Sequence, residues 1–140
     1  MNRRTALAFL AMTAALPAMA QQKKAAAKQR VVIQVSDNDP AKWTLALNNA
    51  RNIQAELGKD NVLVEIVAYG PGLEMMKAES KVADRLAAAL DSNVGLLACE
   101  NTMQNTKVDK ADIAGGVKFD PAGVTHIMKR QREGWAYIRP

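Results

Sequence analysis

One local pattern recurs along the chain and limits the folds open to it. A short apolar run, rich in β-branched residues, is followed by a stretch with apolar residues every third or fourth position. VVIQVS (31–36) reads as a strand, and SDNDP interrupts it. Asp39 can cap a helix there, with Pro40 at the first helical position, where a missing N–H costs nothing. Along 40–57, Trp43, Ala46, Leu47, Ala50, Ile53 and Leu57 form one helix face, and Gly58 suits a left-handed cap. NVLVEIVAYG (61–70) is the second strand, stopped by Gly70-Pro71-Gly72. A short helical segment with Leu73, Met75 and Met76 follows, then a helix over about 81–91 with Val82, Leu86, Ala89 and Leu90 inward. VGLLAC (94–99) has the near-continuous apolarity of a centre strand buried on both faces. ENTMQNTKV starts another helix, and GVKFD (116–120) is a fourth strand. AGVTHIMKRQREG is a fourth helix with Val124, Ile127 and Met128 inward and Gly134 as its stop, and WAYIR (135–139) is a closing strand. Such alternation predicts an α/β fold with a mostly parallel sheet and helices on both faces.

The first 20 residues stand apart. Arg3 and Arg4 form a positive start, Thr5 to Leu16 an apolar stretch, and Ala18-Met19-Ala20 a small-x-small cleavage site after Pro17. This reads as a signal peptide (1–20) cleaved after Ala20, which predicts a periplasmic protein; the Arg3-Arg4 pair leaves Sec and twin-arginine export both open. The apolar run is short for a membrane span, so no stable membrane insertion is expected, although an uncleaved tether is the alternative. Lys23, Lys24, Lys28 and Arg30 lie in a basic, flexible linker (21–30). Setting those four aside with Arg3 and Arg4 leaves 13 basic against 14 acidic residues in 31–140, which is one domain's worth of chain. The basic character sits at the end and aromatics are few, so nucleic-acid binding is not expected.

A single cysteine, Cys99, excludes an internal disulfide. In parallel sheets ligands sit beyond the carboxyl ends of the strands. The loop 36–39, the turn Gly70-Pro71-Gly72 and Cys99 all fall there, and neighbouring strands would put the Gly-Pro-Gly turn and the DPAG turn (120–123) on either side of Cys99. At a strand-to-helix junction, with Asn101 or Thr102 as the cap, the thiolate is favoured over the thiol, and Glu100 opposes this modestly. The alternative is a small apolar core residue. Gly70, Gly72 and Gly123 can bring backbone amides toward an anion or serve turn geometry alone. A Cys–His–Asn hydrolase would depend on the distant His126 and is discounted. No cofactor or metal is expected, since nothing in the spacing of Cys99 and the methionines supports a copper site.

The segments VVIQVS, ALNNARNIQAELG, VEIVAYGPGL, LLACENTM and PAGVTHIMKRQREGWAYIRP occur in an order and at spacings that resemble the DsrE/DsrF-like family, over nearly all of 31–140. The resemblance implies a three-layer α/β/α sandwich with a five-stranded parallel sheet of order 4-3-2-1-5, and assembly into trimers or hexamers. It also implies sulfur-relay chemistry, with Cys99 as the residue that holds a persulfide. Well-understood relays are cytoplasmic, so donor and acceptor proteins do not follow from it. A non-catalytic oligomeric assembly module and a redox-sensing thiol protein are the other readings.

The remaining polar residues read as surface. Asn48, Asn49 and Asn52 lie off the apolar stripe of the first helix, where they can bind a ligand, pair with another subunit or face solvent. His126 reads as a surface or interface residue, and Lys129, Arg130 and Arg132 as a solvated or intersubunit edge. Met75, Met76, Met103 and Met128 read as core or interface filler. Trp135 and Tyr137 share one side of the last strand, where burial against another subunit would suit them.

Overall fold

The computed structural model describes residues 27–140. The expected signal peptide and residues 21–26 of the expected linker lie outside them. Within them, five strands run β1 (Gln29–Val35), β2 (Val62–Ala68), β3 (Gly95–Cys99), β4 (Lys118–Asp120) and β5 (Ala136–Ile138). All pair in parallel, in the order β4-β3-β2-β1-β5. The helices are α1 (Pro40–Leu57), α2 (Ala83–Asp91), α3 (Glu100–Thr106) and α4 (Gly123–Arg132), with 3-10 turns at Gly70–Met76 and Lys110–Asp112. This is the three-layer α/β/α arrangement expected from the chain, in the expected strand order.

The helix α1 forms as its sequence dictates. The Asp39 carboxylate accepts from the Ala41 amide at 2.9 Å, Pro40 opens the first turn, and Gly58, at φ +83°, ends it. β1 begins two residues earlier than expected, because the Gln29 amide donates to the Asn61 carbonyl at 2.9 Å. Arg30 therefore belongs to the domain, with its guanidinium on the Glu133 carbonyl at 2.7 Å.

The two faces of the sheet differ. One carries the main core: Val31, Ile33 and Val35 of β1, Val64, Ile66 and Ala68 of β2 and Leu96 and Ala98 of β3 pack with Trp43, Ala46, Leu47 and Ala50 of α1 and Leu86 of α2. Leu73, Met75 and Met76 of the first 3-10 turn are sealed into the same core. Gly72 makes that docking possible, since a Cβ there would stand 2.3 Å from the Val35 carbonyl oxygen. Gly72 thus serves close backbone approach. The other face has a small core of Val32, Val67, Leu97, Ile127 and Trp135, with the ten-residue α4 packed on it.

Three packing expectations fail. Leu57, in the last turn of α1, is exposed. Val124 and Met128 are 59% and 46% exposed instead of inward, because α4 turns Gly123, His126, Ile127 and Arg130 toward the sheet. Trp135 is buried under α4 within its own chain, stacked by the Arg130 guanidinium at 4.5 Å, and its indole N–H has no acceptor among the described residues. Tyr137 alone of that pair is exposed.

Candidate functional site

Cys99 is the last residue of β3 and the N-cap of α3, and only 5% of its surface is accessible. Its position follows from strand order: β3 lies between β2 and β4, so the turns after those two strands close over it from either side. The expected flanking by Gly-Pro-Gly and DPAG is what the structure has.

The surroundings of the sulfur are polar on the side away from the core. The Gly123 amide, opening α4, donates to Cys99 Sγ at 3.3 Å. A Cβ on Gly123 would lie 3.2 Å from Tyr69 Cβ and Val67 Cγ1 and 3.4 Å from Cys99 Cβ, so the absence of a side chain is what lets the helix start sit this close. Thr102, one turn into α3, takes the Gly70 amide on its Oγ1 at 2.9 Å, which leaves its own proton for the sulfur. Burial pushes the Cys99 thiol up; the Gly123 amide and the Thr102 hydroxyl outweigh it, with smaller help from the Thr102 and Asn101 amides. The net shift is downward, toward thiolate at lower pH.

These findings reassign the residues named from sequence. Gly70, at φ +54°, is tied to the site through Thr102, and Gly123 supplies the hydrogen bond to sulfur. Gly72 belongs to the core packing instead. Asn101 is not the cap; its side chain is exposed and its amide donates to the Pro121 carbonyl at 3.1 Å, tying α3 to the DPAG turn. Thr102 is not the cap either, since Cys99 itself occupies that position. The Glu100 carboxylate is bound by Lys110 at 2.9 Å, which moderates its repulsion of a thiolate. Asn48 accepts from Arg85 and joins α1 to α2, while Asn52 is exposed.

A cluster that sequence reasoning placed on the surface lies next to this site. His126, its side chain 9% exposed, has Nδ1 at 2.9 Å from Asp120 Oδ2 and Nε2 at 2.7 Å from Glu65 Oε2. Arg130 clasps Glu65 through Nε at 2.9 Å and Nη2 at 2.6 Å, and reaches Glu133 at 2.9 Å. Burial raises the Glu65 carboxyl, but the hydrogen bonds from Arg130 and His126 outweigh it and hold it below its ordinary value. Arg130 is shifted upward, chiefly by Glu65, and stays charged. The legible signal was Glu65 itself, one carboxylate inside the otherwise apolar strand VLVEIVA.

A five-stranded parallel sheet of this order, with one thiol at its carboxyl edge under converging N–H groups, defines a small α/β protein whose candidate reactive group is a cysteine. The chain belongs to the DsrE/DsrF-like family, whose model matches residues 4–140. That membership suggests a role related to sulfur relay. Among solved structures it is similar to MTH1491, a protein of unknown function from Methanobacterium thermoautotrophicum. The two are 35% identical over 81% of this chain and 100% of that one, with a TM-score of 0.77. BT1422, a conserved protein of unknown function from Bacteroides thetaiotaomicron, shares the fold at 14% identity, with 80% and 95% covered and a TM-score of 0.61. None of the curated proteins matches the chain. Among the described residues no helix is long and apolar enough to cross a membrane.

Proposed function

We propose that the protein is a sulfur carrier in which Cys99 holds a persulfide. The observation that carries this is a lone thiol at the carboxyl edge of the sheet, shifted toward thiolate by the Gly123 and Thr102 donors, in a chain of the DsrE/DsrF-like family. The Cys99 thiolate attacks the outer sulfur of a donor persulfide. A new S–S bond forms as the donor's S–S bond breaks, and the donor leaves as a thiolate. The oxidation of Cys99 to a persulfide is balanced by the reduction of the donor persulfide to a thiolate, so no outside oxidant is needed, and transfer to an acceptor thiolate returns Cys99 to its thiolate. Because only 5% of Cys99 is accessible, attack requires local movement of the turns packed over it.

Mass spectrometry after incubation with a low-molecular-weight persulfide tests this. Wild type should gain about 32 Da, one sulfur atom, that a reductant removes, while Cys99→Ser should gain nothing. The chain has no other cysteine, so the addition is assigned without digestion. Unmodified wild type under excess donor would refute the carrier reading. It would favour the assembly module instead, which the low exposure of Cys99 already suits.

The carrier is also read as a homo-oligomer, a trimer or hexamer. Val124 and Met128, one turn apart on the outer side of α4, are the apolar groups that such contact would cover. Light scattering at micromolar concentration should give a mass above that of one chain, and a monomer throughout the range would exclude it. The leader-like first 20 residues place this chemistry in the periplasm in our reading, with donor and acceptor proteins unassigned.

A further inference from the structure

The Asp120–Gly123 turn packs against Cys99 and supplies the amide that donates to its sulfur, so whatever holds the turn acts on the thiol. The Asn101 amide on the Pro121 carbonyl ties it to α3, and two further contacts run through Asp120. The Asp120 Oδ1 accepts the Ala122 amide at 3.0 Å, which shapes the turn locally. The Asp120 Oδ2 faces His126, which is anchored in turn to Glu65 on β2, two strands away. Each ring nitrogen lies within hydrogen-bond distance of a carboxylate oxygen, so the one imidazole bridges the two acidic side chains. The charged groups facing this cluster are Glu65 from β2, Asp120 from β4 and, along α4, Arg130 with Glu133 behind it. The ring therefore links a fixed strand to a surface turn through two short contacts with carboxylates.

We propose that His126 is a positioning residue for Cys99: by bridging Glu65 and Asp120 it locks the Asp120–Gly123 turn, and so fixes the Gly123 amide on the sulfur and keeps the sulfur covered. The inference rests on reading Cys99 as the reacting thiol, but its test does not depend on sulfur transfer. Loss of the bridge has two opposite consequences. The thiolate loses a fixed donor, and the sulfur loses its cover.

The rate of alkylation by iodoacetamide, followed against pH, separates the two. In His126→Gln the midpoint should move to higher pH, the thiolate fraction below it falling roughly fivefold, the effect of weakening one hydrogen bond to an anion. The plateau at high pH should rise, because the exposed thiolate meets the reagent more often. A purely structural histidine would lower the melting temperature and leave the midpoint in place. Gln131→Ala, exposed on the same helix, should change neither. In wild type, which needs no substitution to fold, NMR of the His126 ring should show a step at the pH where Cys99 ionises, since coupling between two sites is reciprocal. A profile for His126→Gln that superimposes on wild type, or a ring signal blind to the Cys99 transition, overturns the proposal. Failure of persulfide loading with a shifted midpoint would instead remove the carrier function and leave the positioning intact.

Discussion

Gly72→Ala should melt roughly 10–20 °C below wild type, the consequence of about 3 kcal/mol lost from a domain of this size. The added Cβ would meet the Val35 carbonyl oxygen at 2.3 Å, the carbonyl carbon at 2.7 Å and Ser36 Cα at 2.9 Å. All three are backbone atoms at the end of β1, which is paired on both sides by β2 and β5. No side-chain rotation relieves the clash. Either β1 bends, or the 3-10 turn lifts and withdraws Leu73, Met75 and Met76 from the core. Overpacking of a core costs roughly 1–3 kcal/mol where neighbours can yield, and here they are strand backbone, which puts the effect at the top of that range. Thermal unfolding followed by circular dichroism measures it. A melting temperature within about 3 °C of wild type would mean that the turn shifts freely and that this approach does not constrain the fold.

Glu65→Ala should cost about 3 kcal/mol, because it leaves His126 and Arg130 without the carboxylate they share in a partly buried site. Glu65→Gln, which keeps the shape and one acceptor, should cost less. The pH dependence has a definite sign. Hydrogen bonds from Arg130 and His126, prevailing over burial, hold the folded Glu65 carboxyl below the ordinary 4.5, so the unfolded chain takes up its proton first as pH falls. The stabilisation is whole above the ordinary value and is lost as pH falls through the lowered folded value. The gap in unfolding free energy between wild type and Glu65→Gln should therefore be constant near neutral pH and shrink in acid. Urea unfolding across that range checks it, and a gap that widens on acidification would contradict the pairing.

The strands and helices were legible because each rests on local chemistry. Asp39-Pro40 and Gly58 bound α1, and the apolar runs around Ile33, Ile66 and Leu96 became buried strands. The position of Cys99 at the sheet's edge, between two glycine-bearing turns, followed from strand order alone. The direction of α4 did not. Its apolar residues Val124 and Met128 predicted the inner face, yet His126 and Arg130 occupy it. A hydrophobic pattern ranks a histidine and an arginine as outward, and it is right unless partners await them across the interface. Those partners, Glu65 and Asp120, are 61 and 6 residues from His126, and no local period relates them.

The sequence by itself determined the element order, the class of fold and which atom is the candidate for chemistry, since those depend on propensity, periodicity and there being one thiol. Only the tertiary structure decided what surrounds that atom. The amide on its sulfur comes from a residue 24 positions away, and the His126 contact and Arg130 ion pair that steady that residue's helix join it to Glu65 of strand β2. Hydrogen bonds and charge pairs act over a few ångströms in space, so they become readable only once the chain has brought distant residues together.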